Sequence, residues 1–478
     1  MKDRKNFTRK VVLFLCLLVG LFFLILAFRK AQQLLIKATG TTADIVIDFN
    51  LQQEPLKPVW KSFSQGGEES VDMIAPTVPV IKSLQPRYIR IDHIYDHFNL
   101  VSRNSQGQLI YNFSQLDQMV SSIRQTGALP FFSLSYMPQV IAENGDIVGK
   151  PKNWNEWSQV VKRTVEHYSS KSEMNLTNIY YEVWNEPDLF GNWKNYGDKN
   201  YLTLYLYSVQ GAVAAQNTNS FKIGGPATTQ LYNSWIKSFA EYVTKNNLRL
   251  DFFSWHRYDV DPAKFYHDVA DVTSLLFHYP ELVSLPRVVS EWGFDPAINN
   301  GYDGNFAAAH TVATIRQTLS GYDQMMAFEV VDGPSPENKT YWGRWGILTH
   351  PKFGLSKKPR YQAFELLNQL QGSRLYLKGE GTWVSGIAVF DKTNETLSTI
   401  LVNFDPQSVH VEQTPLEIRN LPNGIYRVKK TRLGQTPTEQ TVEISNHIYQ
   451  TESILPINSI ILIQLETIVN QNLRPPLL

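Results

Sequence analysis

Ile179–Pro187 reads IYYEVWNEP and Arg287–Phe294 reads RVVSEWGF, two β-branched and aromatic runs that each lead into a glutamate, Glu186 and Glu291. Short, nearly continuous apolar runs of this kind are how strands buried on both faces of a parallel sheet are written. Pro187 ends the first run, because proline has no amide hydrogen to extend a ladder. Six further runs share this character: Lys61–Ser64, Arg87–Ile91, Leu129–Leu134, Lys222–Gly225, Phe252–His256 and Met325–Val331. Helical patterns lie between them, among them Gln115–Thr126, Trp154–Tyr168, Tyr201–Gln216, Trp235–Lys245, Phe306–Ser320 and Pro359–Leu370. Eight strands alternating with helices over roughly 330 residues predict an α/β fold of the (β/α)8 TIM barrel type rather than an open doubly wound sheet. The barrel is expected over residues 44–370.

Beyond it the pattern changes. Residues 371–467 carry short alternating runs, such as Gly386–Phe390, Thr399–Phe404, Gly424–Lys429 and Ser459–Gln464, separated by Gly, Pro and Asn turns. That is the signature of a C-terminal β-sandwich. Asp44–Phe49 is one more strand, placed to join either the barrel or the sandwich, and residues 468–478 read as a tail.

At the other end, Val11–Phe28 is an unbroken apolar run, VVLFLCLLVGLFFLILAF. As a helix it is about 27 Å long, enough to span the hydrocarbon of a bilayer. Lys2, Arg4, Lys5, Arg9 and Lys10 precede it, against Arg29, Lys30 and Lys37 after it. The positive-inside bias therefore puts residues 1–10 in the cytoplasm, a transmembrane signal anchor at 11–28, a juxtamembrane linker at 29–43, and the rest in an extracellular or periplasmic space. The alternative is secretion after signal cleavage, but the run is long for a signal peptide and Phe28-Arg29-Lys30 follows it without a small-x-small site. Cys16 is the only cysteine, so no intramolecular disulfide can form, and a net charge of +1 gives no reason to expect a nucleic acid partner.

In a TIM barrel the chemistry sits at the carboxyl ends of the strands. Glu186 follows the fourth strand and Glu291 ends the seventh, 105 positions apart (291 − 186), which is the length of three βα units. A single strand-end glutamate is ordinarily half of a rim ion pair. Two facing ones meet the requirement of glycoside hydrolysis, in which one carboxylic acid protonates the leaving oxygen while another carboxylate attacks the anomeric carbon. Asn185 beside Glu186 can donate to a sugar hydroxyl, and Tyr258 can hold the Glu291 carboxylate ionised by donating its own. Trp184, Trp193, Trp255, Trp292, Trp342 and Trp345 lie at or near strand ends, where an aromatic floor for a sugar face is expected; Trp292 and Trp342 are taken as substrate-binding, with Asp332 after the eighth strand. Glu182 shares the inward alternation only if the fourth strand stays regular as far as Glu186. The cluster Asp92-His93-Asp96-His97 contains metal-ligand types, but no second His or Cys cluster completes a site, so no metal and no cofactor is expected.

WNEP and SEWG resemble the motifs of the clan of (β/α)8 retaining glycosidases. YIRIDH, PFFSLSYMPQ, KIGGPAT, DFFSWHRY and KKPRYQAFELLNQL are similar to glycoside hydrolase family 39, the family of β-xylosidases and α-L-iduronidases, and the resemblance covers residues 44–465. It implies that Glu186 is the general acid/base and Glu291 the nucleophile, with Arg90, Asn185, His256 and Tyr258 around the sugar ring. The chain departs from the family at the second strand, where Arg-x-His is usual and Arg90-Ile91-Asp92-His93 stands here. A sugar hydroxyl meeting Asp92 has to donate to it, so Asp92 and His93 join the expected substrate-binding set. The reading is a membrane-tethered retaining glycoside hydrolase acting on an extracellular oligo- or polysaccharide. Its alternatives are a non-catalytic carbohydrate-binding or envelope scaffold protein and a transglycosylase using the same two glutamates.

Overall fold

The computed structural model describes residues 40–468. Eight parallel strands close into a barrel: β1 Ser62–Gln65, β2 Tyr88–Ile91, β3 Leu129–Leu134, β4 Ile179–Val183, β5 Phe221–Thr228, β6 Phe252–Tyr258, β7 Arg287–Gly293 and β8 Gln324–Phe328. Each is followed by a helix: α1 Val78–Ile81 between two 3-10 turns, α2 Ser114–Gln125, α3 Trp154–Ser169, α4 Tyr201–Ala214, α5 Asn233–Lys245, α6 Pro262–Leu276, α7 Asn305–Thr318 and α8 Pro359–Leu367. Several start where local chemistry says they should. Asn153, Asn200 and Asp261 each accept a backbone N–H two residues on, and Pro262 occupies the first helical position after Asp261.

Tyr88, Phe131, Tyr180, Phe252, Val288 and Met326, one from each of β2, β3, β4, β6, β7 and β8, form a separate buried cluster. They plug the amino-terminal half of the barrel. Two residues further along, the same alternation turns Arg90, Ser133, Glu182 and Ser254 inward. The interior thus changes from aromatic to polar within one pleat, on the side where the strands end.

The second domain is a nine-stranded sheet that rolls over its own core. Lys430 Nζ donates to Thr451 Oγ1 at 2.6 Å and Arg432 Nη1 to the Ile454 carbonyl at 3.0 Å. These bonds join Gly424–Arg432 to Ile448–Leu455, which stand near opposite ends of the strand order, so the sheet has two facing layers. Ile45, Ile47, Leu401, Ile418, Val428 and Ile461 are buried between them. The strand left open by the sequence, observed as Ile45–Pro55, belongs here: it runs antiparallel to Ser373–Lys378 and parallel to Glu412–Arg419. Phe404 packs on Phe306 and His310 of α7, and Arg316 makes two bonds to Glu380, at 2.7 and 2.8 Å, which fixes the sheet to the barrel.

The expected cytoplasmic segment, the membrane anchor at 11–28 and most of the linker lie outside the described residues, as does the tail from residue 469. Among the described residues no helix is long and apolar enough to cross a membrane. The end of the expected linker is already part of the sheet domain. Thr41 N–H donates to Thr382 Oγ1 at 2.9 Å and Ala43 N–H to Glu412 Oε1 at 2.5 Å.

Candidate active site

Strand β7 contains the decisive local feature. Its pairing with β6 runs Val289 to Trp255 and then Glu291 to His256, so Ser290 is an extra residue. The same slip appears against β8. A bulge of this kind resets the alternation of a strand. Val288 faces the barrel interior with the plug, and simple alternation would send Glu291 outward; the bulge turns it inward beside His256. Trp292 is thereby turned out of the site. It is fully buried between Phe265, His310 and the guanidinium of Arg360, which lies 5.0 Å from its ring centroid. The expectation that Trp292 binds substrate is corrected accordingly.

Strand β4 ends at Val183, and the next residues depart from extended geometry, with φ of +73° at Trp184 and +44° at Glu186. Non-glycine residues adopt these angles only where the surroundings impose them. The imposing contacts are visible: Trp184 is buried against Tyr136 and Trp193, its indole N–H donates to the Phe190 carbonyl at 3.0 Å, and the Glu186 N–H donates to the Ala227 carbonyl at 3.0 Å. The regular alternation linking Glu182, Trp184 and Glu186 is broken, and Glu186 reaches the cavity from the loop.

Arg90 organises the polar layer. Its Nε donates to Glu182 Oε2 at 2.7 Å, Nη1 to Glu291 Oε1 at 3.1 Å, and Nη2 to Asn185 Oδ1 at 2.7 Å. Arginine and Glu182 are both fully buried, and such charges are tolerated only when each meets an opposite charge or a hydrogen bond. Glu291 Oε2 accepts from Tyr258 OH at 3.0 Å, His256 Nδ1 lies 2.8 Å from Glu186 Oε1 and 3.4 Å from Glu291 Oε2, and Asn185 Nδ2 donates to Tyr136 OH at 2.9 Å. Polar atoms of Glu186, His256 and Glu291 all fall within 4.8 Å of one another.

Burial pushes the Glu291 carboxyl up to about 7, against the pull of His256 and Arg90 and with the push of Glu186 and Asp92. For His256, burial alone would lower the imidazole, but the Glu291 and Glu186 carboxylates outweigh it and raise it. Two adjacent groups, Glu291 and His256, are thus both shifted upward, the kind of perturbation that clusters at functional sites. Tyr136 and Tyr258 are pushed far up, by burial first, and stay neutral, Tyr258 donating to Glu291 and Tyr136 accepting from Asn185.

Above these groups opens a cavity of about 350 Å3 whose lining includes Asp92, His93, Tyr136, Asn185, Glu186, Tyr258 and Glu291. Arg90 and His256 are fully buried behind it. Asp332 is elsewhere: it is fully buried, its carboxylate lies 2.7 Å from Lys358 Nζ and accepts from the Gly346 N–H at 2.8 Å. Strand β8 ends at Phe328 rather than Val331, so Asp332 lies in the following loop and serves as a buried ion pair. Trp342 lines a separate depression with Ile298 and Tyr341. The expectation for Asp332 is corrected, whereas Trp342 stands apart from the two carboxylates on its own half-open surface. Glu68, Tyr136, Phe328 and Arg344 also line the cavity and Glu182 supports it from below, none of them expected from the sequence, while Trp345 in the lining is one of the strand-end aromatics. Tyr136 stands inside the PFFSLSYMPQ motif, and Phe328 follows Met326 by one pleat, so those two carried a signal.

The histidine cluster has a packing role. His93 Nδ1 lies 2.7 Å from Asp96 Oδ2, and the rings of His93 and His97 stack at 4.1 Å and 21°. Donor atoms of His93, Asp96 and His97 lie within 4.8 Å of one another, but near-parallel rings do not aim their lone pairs at one point. The pair presses on Gly67, where a Cβ would come within 2.5 Å of His93.

A profile described as Glycosyl hydrolases family 39 matches residues 44–426. The chain belongs to this family. This family 39 member is 28% identical over 320 residues to a beta-xylosidase of Caldicellulosiruptor saccharolyticus, covering 61% of this chain and 64% of that protein. It is 24% identical over 308 residues to a beta-xylosidase of Geobacillus stearothermophilus, covering 56% and 58%. The match thus spans less than two thirds of the length of either relative. Among solved structures, a monomeric beta-xylosidase from Caulobacter crescentus CB15 superposes with a TM-score of 0.77 at 20% identity, over 89% of this chain and 100% of that one. The GH39 enzyme from Xanthomonas axonopodis pv. citri gives 0.76 at 19%, over 90% and 98%. At such identities the likeness is one of fold.

Proposed function

We propose that this family 39 hydrolase is a retaining glycosidase acting on an extracellular oligo- or polysaccharide, with Glu186 as general acid/base and Glu291 as nucleophile. The observation that carries this reading is the approach of the two carboxylates, with polar atoms within 4.8 Å, at one cavity. Retaining enzymes hold their pair about 5 to 5.5 Å apart, whereas inverting ones leave room for a water. In the first step Glu186 gives its proton to the glycosidic oxygen as the bond to the anomeric carbon breaks and Glu291 bonds to that carbon. In the second, Glu186 takes a proton from water, which attacks the same carbon and releases Glu291. Arg90 and Tyr258 donate to Glu291 and favour its ionised form, while His256 orients Glu186. Asn185 Oδ1 is occupied by Arg90 and one amide hydrogen by Tyr136, so its second amide hydrogen is what it offers a sugar; Asp92 offers an acceptor.

The full chain is assayed on a panel of 4-nitrophenyl glycosides, beginning with the β-D-xylopyranoside that the relatives suggest. Glu291→Ala is expected to lose turnover, whereas Glu186→Ala still releases 4-nitrophenol slowly, because that leaving group hardly needs a proton. Wild-type turnover in both variants would sink the assignment. The Val11–Phe28 run supports a site of action outside the membrane, close to the cell surface. Retention in carbonate-washed membranes is the expected result, and a shortened chain in the medium would instead indicate signal cleavage.

A further inference from the structure

Beside the catalytic cavity, the loops after β7 and β8 enclose a second depression of about 410 Å3. Trp342, Tyr341 and Ile298 form its apolar part, Asn300 and Ser335 bring an amide and a hydroxyl, and Glu337 and Lys339 line it as an ion pair with each other. Tyr341 is 51% exposed and Trp342 half-buried, so both rings remain open to a ligand. Their support is built rather than loose. The Asn299 N–H donates to the Gly343 carbonyl at 2.9 Å and the Gly343 N–H to Asp303 Oδ2 at 2.6 Å. Gly343 has φ of +77°, and a Cβ there would lie 2.8 Å from the Asn299 backbone, so the turn that presents Trp342 requires glycine.

One side chain links the walls of the two cavities. The Arg344 guanidinium lies 5.3 Å from the Trp342 ring centroid and 3.7 Å from that of Trp345, and Arg344 and Trp345 both line the catalytic cavity. Across from them, Pro296 lines the catalytic cavity and Ile298, two residues on, lines the depression. A pyranose ring has an apolar C–H face and a rim of hydroxyls, which matches an aromatic surface flanked by a few polar groups.

The geometry points to a remote subsite at Trp342 and Tyr341 that holds a further sugar unit of the same glycan chain whose scissile bond lies between Glu186 and Glu291. The inference rests on the glycosidase reading above. It makes the enzyme a reader of chain length as well as of the sugar at the cleavage point.

The test compares kcat/KM of the full chain on 4-nitrophenyl β-D-xylopyranoside and on β-1,4-xylotetraose, or on the equivalent pair for whichever sugar the aryl panel selects. The quantity read is the ratio of the long substrate to the short one, which cancels any general damage. Trp342→Ala lowers that ratio about tenfold, the order expected for one lost aromatic contact, and Tyr341→Ala about threefold. Trp342→Phe, which keeps an aromatic face, restores most of it. An unchanged ratio in both alanine variants overturns the subsite. If the wild type turns over no member of any pair, the glycosidase reading itself has failed and the subsite falls with it.

Discussion

The lower and upper halves of the barrel interior are built from the same strands, one pleat apart, and could hardly differ more. Tyr88, Phe131, Tyr180 and Phe252 form an aromatic plug, with Phe131 and Tyr180 stacked at 5.0 Å. Two residues further along stand Arg90, Ser133, Glu182 and Ser254, and the hydroxyl of Ser254 and one oxygen of Glu182 have no hydrogen-bond partner. The plug is what hydrophobic burial favours. The polar layer costs desolvation free energy that only its own ion pairs offset. The difference teaches that the plug carries stability, which lets the layer above hold charges close together for chemistry.

That division can be broken by substitution. Arg90→Met is expected to have the largest effect, because it strands the buried carboxylates of Glu182 and Glu291. Stability should fall by about 3–5 kcal/mol in urea unfolding, and kcat/KM of the folded fraction by about a thousandfold or more. Phe131→Ala should cost a similar 3–5 kcal/mol yet leave kcat/KM of the folded protein within about threefold. A selective loss of activity there, matching that of Arg90→Met, would abolish the distinction between the layers.

Smaller effects sharpen it. Tyr258→Phe removes a hydrogen bond to a charged carboxylate and should lower kcat/KM by about 10- to 100-fold. It should also move the acidic limb of the pH profile to higher pH, since a donor favouring the ionised Glu291 is gone. In the wild type that limb should fall near 7, the value to which burial raises Glu291. If Glu291 is the nucleophile proposed above, the carboxyl below that pH carries a proton and cannot attack, so kcat/KM should drop about tenfold per pH unit. A profile flat down to pH 5 would contradict it. Trp292→Phe touches only the packing outside the barrel wall and should change kcat/KM by less than about threefold, whereas a loss like that of Tyr258→Phe would return Trp292 to the site.

Much of the site was legible because its signals are local. Glu186 follows the fourth strand and Glu291 belongs to the seventh, and Arg90, Asn185, His256 and Tyr258 stand within the motifs that carry the family resemblance. Glu182 was harder, since its use depends on a partner on β2, distant in sequence. Trp292 and Asp332 were misplaced for one reason: both follow strand ends whose geometry differs from simple alternation, through the bulge at Ser290 and the early end of β8. Trp342 lies on a long loop, where periodicity carries no information about direction.

By itself the sequence determined the alternation of strands and helices, the change to a sandwich pattern near residue 371, and the two carboxylates at strand ends, all of which follow from propensity and side-chain period over short windows. Only the tertiary structure decided which way Glu291 and Trp292 face, that Ile45–Pro55 pairs with the sandwich, and how Arg90 joins Glu182 to Glu291. Those outcomes depend on register between neighbouring strands, and register is set by packing among residues far apart in the chain.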